Sequence, residues 1–192
     1  MSSFPDKREI VRDWLPRYTG MRLEDFGPWV LLTNFQSHLN AFATMHDVPL
    51  RGVGGPMTSA SSGDGLSIIN YGMGSPNAAT IMDLLLAIEP QGVLFLGKCG
   101  GLKKSTSVGH FILPTAAIRG EGTGNAWMPP EVPALPSFKL HQYAANVITD
   151  RGLEYRTGPI YTTNRRVWEW DEKFRSYLRD VRAVGIDMET ET

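Results

Sequence analysis

Between Leu66 and Leu96 the chain reads LSIINYGMGSPNAATIMDLLLAIEPQGVLFL. A short branched apolar run meets a glycine-rich turn, a helical apolar run stops at Pro90, and a second short apolar run follows. Two strands joined through a helix pair in parallel, because the crossover returns the second strand in the direction of the first. The expected fold is therefore α/β, with a mixed, mainly parallel central sheet flanked by helices. The turn itself, Gly72-Met73-Gly74-Ser75-Pro76-Asn77, places glycines where a ligand can approach the backbone and opens a helix whose free N–H groups favour an anion. Ser75 is expected to cap the helix and Pro76 to occupy its first position. Gly74 is thus a candidate phosphate or sugar contact, and a tight turn with a packing role is the alternative. The dinucleotide fingerprint is not met, since Asn77 stands where the third glycine belongs.

The rest of the chain extends the pattern. Asp6 to Leu15 has the spacing of a docking helix that closes at Pro16. Trp29 to Thr33 reads as a buried strand, followed by a helix through about Thr44. Pro56–Ser61 and Leu66–Tyr71 flank Ser62-Gly63-Asp64-Gly65 as a hairpin. The helix from Pro76 to Ile88 is apolar nearly all round, which predicts burial against the sheet and a second surface, such as another subunit. His110–Ile118 is the next strand, and Gly120 to Pro136 holds too many glycines and prolines for any regular element. A helix with Leu140, Ala144, Val147 and Ile148 on one face ends near Gly152. A strand runs through Ile160, Glu169–Asp180 forms a surface helix with Phe174, Tyr177 and Leu178 inside, and Ala183–Met188 is the last strand.

Composition narrows the function. With 192 residues, 19 basic and 20 acidic side chains and a formal net charge of -1, the chain suits one domain (1–192) and offers no basic surface for nucleic acid or an anionic membrane. A small molecule is the expected partner. One cysteine, Cys99, excludes an intrachain disulfide and suits a reducing compartment. The four histidines form no metal-ligand spacing, so neither metal nor cofactor is implied. The N-terminus lacks the apolar core of a signal peptide and no run is long enough to span a bilayer, which predicts a cytoplasmic protein.

Four segments fall at or just beyond the carboxyl ends of expected strands, where open α/β sheets bind ligands. They are the Gly72 turn, Gly97-Lys98-Cys99-Gly100-Gly101, Glu121-Gly122-Thr123, and Ile186-Asp187-Met188-Glu189-Thr190. Their order and spacing resemble the nucleoside phosphorylase superfamily. Within it, the runs LPRYTG (15–20), GMGSPNAATIMDLL (72–85), LFLGKCGGLK (94–103), IRGEGT (118–123), PPEVPALP (129–136), YTTNRRVWE (161–169) and IDMET (186–190) resemble the catalytic domain of the bacterial AMP nucleosidases.

The resemblance implies that Met188 and Glu189 take the ribose, the carboxylate accepting bonds from both vicinal hydroxyls; an ionised, acceptor-only group suits that task. It places Thr123 near the sugar. Asn164, Arg165 and Arg166 lie in the segment that faces the base, where two guanidiniums suit purine nitrogens or a phosphate and an exposed basic turn is the alternative. Lys98, with Arg17 and Arg119, can bind the 5′-phosphate. Phosphorylases of the superfamily hold inorganic phosphate with an arginine in a G-D-P-x-R-type turn after the first strand and another at the strand leading to the second glycine turn. Here those places read Thr33-Asn34-Phe35-Gln36-Ser37 and Phe95-Leu96-Gly97-Lys98, so phosphate loses its bidentate partners and water is the expected acceptor.

The expected activity is hydrolysis of the N-glycosidic bond of AMP, giving adenine and ribose 5-phosphate, in a homo-oligomer that the resemblance makes a hexamer. Two alternatives stay open: a phosphate-dependent purine nucleoside or methylthioadenosine phosphorylase, and an inactive nucleotide-binding fragment. In the family the chain runs on past the ribose motif, through a helix and a strand, to a Ser-Asp turn whose aspartate protonates the purine. The resemblance therefore implies a domain cut short after that motif, with the leaving-group acid lying beyond Thr192 and no catalytic acid among these residues. Asp187 receives no role, because strand alternation puts it on the face opposite Met188.

Overall fold

The computed structural model describes residues 6–192 and divides into two compact units, residues 1–97 and 98–192. The first five residues of the expected leader-free N-terminus lie outside the described ones. The α/β class is the expected one, with mixed, mainly parallel strands and flanking helices, but each unit carries its own four-stranded sheet in place of one continuous central sheet.

In the first unit, α1 (Lys7–Thr19) precedes β1 (Trp29–Thr33), α2 (Gln36–His46), the hairpin β2 (Thr58–Ser61) and β3 (Leu66–Asn70), α3 (Ser75–Leu84) and β4 (Gly92–Phe95). The sheet order is β2-β3-β1-β4, with β1 parallel to β3 and β4, and β2 antiparallel to β3. Alternation along β1 sends Val30 and Leu32 to one face, where they pack with Val11, Leu15, Ile69, Tyr71, Ile81 and Leu84. On the other face Leu31 joins Leu39, Ala60 and Ile68. The sheet is thus covered on both sides, as parallel strands require.

Three local expectations need correction here. The first helix does not close at Pro16 but runs to Thr19, with Pro16 inside it and Gly20 as a left-handed cap whose N–H donates to Pro16 O at 2.8 Å. A proline so near the carboxyl end removes one ladder bond, and buried Val11, Leu15 and Thr19 hold the remaining turn. Ser75 is the first residue of α3 rather than its cap; Gly74, at φ 95° and ψ 151°, takes that position and moves Pro76 to the second. The α3 helix does bury Ile81 and Leu84, and the 3-10 turn that follows it, Leu85–Ala87, buries Leu85, while Met82 and Leu86 are 42% and 46% exposed.

Gly20 combines a left-handed backbone, φ 68°, with close approach of another chain segment: a side-chain carbon built there would lie 2.3 Å from Gly52 N. Gly20→Ala is therefore expected to cost at least about 2 kcal/mol, from conformational strain added to a clash with backbone that cannot rotate away. Urea unfolding monitored by circular dichroism checks this; a midpoint matching the parent protein's would show that the Gly52 segment yields freely.

The second unit holds β5 (Gly100–Gly101), β6 (Phe111–Arg119), α4 (Phe138–Asp150), β7 (Tyr155–Thr162), α5 (Glu172–Asp180) and β8 (Gly185–Asp187). Its order is β5-β8-β7-β6, with β6, β7 and β8 parallel and β5 antiparallel to β8. Tyr161, Leu178, Ala183 and Ile186 form its core with Ile118, Trp168 and Phe174 around them. The α5 helix begins at Glu172, not Glu169, because Asp171 caps it by accepting the Phe174 N–H at 3.0 Å. Leu178 is buried as expected, but Tyr177 is 44% exposed, its ring edge-on to Tyr161. The apolar face of α4 is only half-buried. Among the described residues no helix is long and apolar enough to cross a membrane.

Candidate functional site

Parallel pairing in the second unit aligns three strand ends. Arg119 of β6 is level with Thr162 of β7, and Thr162 with Asp187 of β8, so the segments starting at Gly120, Thr163 and Met188 leave the sheet at one edge. That register brings Thr123, Asn164, Met188 and Glu189 to the same end of the sheet. Because β5 runs antiparallel to β8, Lys98, two residues before Gly100, also lies toward this end.

Buried polar groups tie the edge together. Thr162 Oγ1 donates to Asp187 Oδ1 at 2.8 Å and accepts the Glu191 N–H at 3.1 Å. Thr163 N–H donates to Asp187 O at 2.9 Å. Asp187 Oδ2 accepts the Thr190 N–H at 2.9 Å and the Thr190 hydroxyl. Asp187 is therefore an anchor for the turn that follows it, and burial is the main reason its carboxyl is raised above the usual carboxylate range. Glu189 is buried, 5% exposed, and accepts the Met188 N–H at 3.2 Å through Oε2.

Thr192, past which the resemblance implies the purine-protonating aspartate, belongs to this same turn. Its N–H donates to Glu189 O at 3.2 Å, and its hydroxyl is buried without a partner among the described residues. Thr192 N–H thus closes the short turn that begins at Glu189. A threonine hydroxyl is too weak an acid to serve as proton donor to the purine near neutral pH, so Thr192 does not take the place of the implied aspartate.

The loop from Gly120 to Pro136 is more regular than its composition implies. Thr123–Ala126 forms a 3-10 turn, and Ala117 and Ala134 exchange a pair of backbone hydrogen bonds, at 2.8 and 3.0 Å. Gly122, at φ 106°, makes the reversal that starts the turn. Its N–H and that of Gly124 both donate to Glu191 Oε1, at 3.1 and 3.3 Å. A residue about seventy positions away thus orders the turn, which local composition does not reveal. Sequence reasoning misses Glu191; its spacing of two from Glu189 is the available signal.

The basic candidates separate. Arg165 pairs with Asp171 at 2.9 Å and its guanidinium lies 4.3 Å from the centre of the Phe174 ring, a structural attachment that orients the segment after β7. Asn164, Arg166 and Lys98 are exposed. Arg17 is held by Asp13 at 2.7 Å on the surface of α1. Arg119 lies against Gly124, with Nε buried and meeting no acceptor among the described residues. Cys99 is exposed as a residue, yet its thiol faces Gly185 and is pushed up to about 11 by burial, with the Asp187 carboxylate adding, so it is no thiolate nucleophile near neutrality.

The first unit has an edge of its own. Thr33 of β1 is level with Asn70 of β3, and beyond them lie Asn34 and the Gly72–Gly74 turn. Gly74 O accepts from the Asn77 and Ala78 N–H groups, and Asn77 Nδ2 closes the turn on Met73 O at 3.0 Å. Asn34 Oδ1 is buried and meets no donor among the described residues. Phe95, at the end of β4, lies with its ring 5.9 Å from that of Tyr71.

Comparison with known proteins places the chain among relatives of one superfamily. The AMP nucleosidase of Escherichia coli (strain K12) is 30% identical over 224 residues, covering 93% of this chain and 46% of that protein. A guanosine phosphorylase of Halorubrum lacusprofundi is 28% identical over 136 residues, covering 71% and 56%. The chain spans about half the length of these curated relatives. The crystal structure of AMP nucleosidase from Bacteroides thetaiotaomicron VPI-5482 superposes with a TM-score of 0.92 at 55% identity, covering 97% of this chain and 79% of that one. A uridine phosphorylase from Vibrio fischeri ES114, at 20% identity and TM-score 0.80, shares the fold. The profile of the phosphorylase superfamily matches residues 29–192, and the chain belongs to that superfamily.

Proposed function

We propose that this protein hydrolyses the N-glycosidic bond of AMP, releasing adenine and ribose 5-phosphate. The observation that carries the choice of water over phosphate is Phe95: an aromatic ring packed near Tyr71 stands where the phosphorylase pattern carries an arginine, and Asn34 begins the turn where the other is expected. Neither offers the planar cationic fork that binds inorganic phosphate. The 55% identity to the Bacteroides AMP nucleosidase points the same way.

In this reading Glu189 accepts the two ribose hydroxyls beside Met188, and Thr123 lines the sugar. Asn164 and Arg166 face the purine, with Arg165 orienting their segment, and Lys98 takes the 5′-phosphate. The C1′–N9 bond breaks as the sugar gains oxocarbenium character, a water oxygen bonds to C1′, and a proton must reach the purine because its anion leaves poorly. No metal or cofactor is required by these steps. The lone thiol suits the reducing cytoplasm. Exposed Met82 and Leu86 on the α3 side support assembly into a homo-oligomer, a hexamer by likeness to the family.

In a chain that carries the leaving-group acid the resemblance implies, the expected result is free ribose 5-phosphate and adenine from AMP in phosphate-free buffer, in a one-to-one ratio by chromatography. Reaction only on addition of phosphate, with phosphate attached to the anomeric carbon, would assign the protein to the phosphorylases instead.

A further inference from the structure

The 3-10 turn that carries Thr123 opens with three successive backbone N–H groups, and all three end on carboxyls. Gly122 and Gly124 donate to Glu191 Oε1, while Thr123 N–H donates to Glu121 Oε2 at 2.8 Å. Glu191 is 1% exposed, and its second oxygen, Oε2, is buried without any N–H or O–H donor among the described residues. The Glu121 carboxyl, held on the middle one of these three N–H groups, is the carboxyl that neighbours Glu191. Two carboxylates in contact repel each other when both are ionised, which favours a single proton held between them, and that proton supplies the donor that Oε2 lacks.

We propose that Glu121 and Glu191, joined by one shared proton, form the positioning device that holds the Thr123 turn against the strand end bearing Met188 and Glu189. The function assigned to that edge rests on the AMP hydrolase reading; the clamp itself rests on the carboxyl pair. Both glutamates act as positioning residues, since their carboxyls are engaged with the turn's own N–H groups. They fix the loop on which the sugar contact is carried, and they do so across about seventy residues of sequence.

The clamp is pH-dependent, with a sign set by its surroundings. Burial, followed by the neighbouring Glu121 carboxyl, raises Glu191 above the usual carboxylate range, against the lowering effect of the Gly124 and Gly122 N–H groups. The other groups around it are Arg119 at the end of β6, Tyr161 and Thr162 on β7, and Asp187 and Glu189 beside the terminal turn. A raised folded pKa means that the contribution is complete below the ordinary carboxylate pKa and is lost as pH rises through the folded one. The turn therefore loosens toward alkaline pH.

Glutamine at position 191 imitates the protonated acid: its carbonyl accepts from Gly122 and Gly124, and its amide donates to Glu121. Hydrogen exchange of the 120–127 segment, corrected for the intrinsic pH dependence of exchange, separates the cases. Protection in the parent protein should fall at least about tenfold from mildly acidic to alkaline pH, stay high at both in Glu191→Gln, and be lost at both in Glu191→Ala. Glu121→Gln should behave as Glu191→Gln does, which keeps the test decisive if the alanine variant fails to fold. In the active protein, Glu191→Ala should raise KM for AMP about tenfold more than Glu191→Gln does. A glutamine variant as unprotected as the alanine one, or protection indifferent to pH in the parent, overturns the clamp. A parent protein that shows the exchange pattern without hydrolysing AMP overturns the activity reading and leaves the clamp standing.

Discussion

Glu189→Gln is expected to slow AMP hydrolysis by about a hundredfold or more, roughly the 2.7–4 kcal/mol seen when one preorganised charged or polar contact to a transition state is removed. The ribose presents two neighbouring hydroxyls that both donate. A carboxylate accepts from both at once, whereas an amide offers one oxygen and turns two N–H donors toward the second hydroxyl. Glu189 is 5% exposed, so water does not replace the lost acceptor. The loss should fall on kcat/KM, and unfolding by urea should move little because the glutamine keeps the volume of the side chain. A decrease of less than about tenfold, or roughly 1.4 kcal/mol, would show that the ribose is held elsewhere.

How far the fold can be read from the residues differs between its two units. Trp29 to Thr33 is legible to the residue because an apolar run of that length between turn-forming residues has few other uses, and parallel pairing follows from the helix between β3 and β4. Gly74 draws attention as a turn, but its role as helix cap in place of Ser75 depends on a φ of 95° that only the surrounding chain dictates. The sheet's division into two is not legible, since strand order depends on contacts far apart in sequence. At the strand ends of the second unit, Met188 and Glu189 are singled out by a motif, whereas Glu191 is missed: its meaning comes from Gly122 and Gly124 N–H groups about seventy residues earlier. Thr192 lies two residues past the IDMET motif in the sequence, and its backbone bond to Glu189 O becomes visible once the terminal turn is formed. Arg165 is the converse case. Its position in a basic pair suggests substrate, while the Phe174 ring and the Asp171 carboxylate give it a structural attachment visible only once α5 is in place.

Asp187 provides the sharpest contrast with Glu191, and Asp187→Ala is expected to destabilise the protein by about 3 kcal/mol. Both oxygens of Asp187 accept: Oδ1 from the Thr162 hydroxyl, Oδ2 from the N–H and hydroxyl of Thr190. Truncation to alanine leaves those donors inside the protein without an acceptor, and Thr162 then loses the partner that orients it toward the Glu191 N–H. Asparagine is no remedy here, because one of its two positions must be an amide nitrogen facing either the Thr162 hydroxyl or the Thr190 N–H. A nitrogen facing the Thr190 N–H sets donor against donor, and one facing Thr162 makes that hydroxyl accept and leaves its O–H without Asp187 as acceptor, so Asp187→Asn should lose at least about 1 kcal/mol, whereas Glu191→Gln, with no N–H or hydroxyl donor at Oε2, should lose almost nothing. The pH dependence carries the same signature. Burial raises the Asp187 carboxyl, so the folded protein holds its proton to a higher pH than the unfolded chain, and stability falls as pH rises from the ordinary carboxylate range through the raised value. Asp187→Ala removes that part of the slope while lowering the whole curve. Urea titrations of the parent and the three variants at several pH values test the assignment. An asparagine variant as stable as the parent would mean that only one oxygen of Asp187 is engaged, and the terminal turn would then have to be held by Glu191 alone.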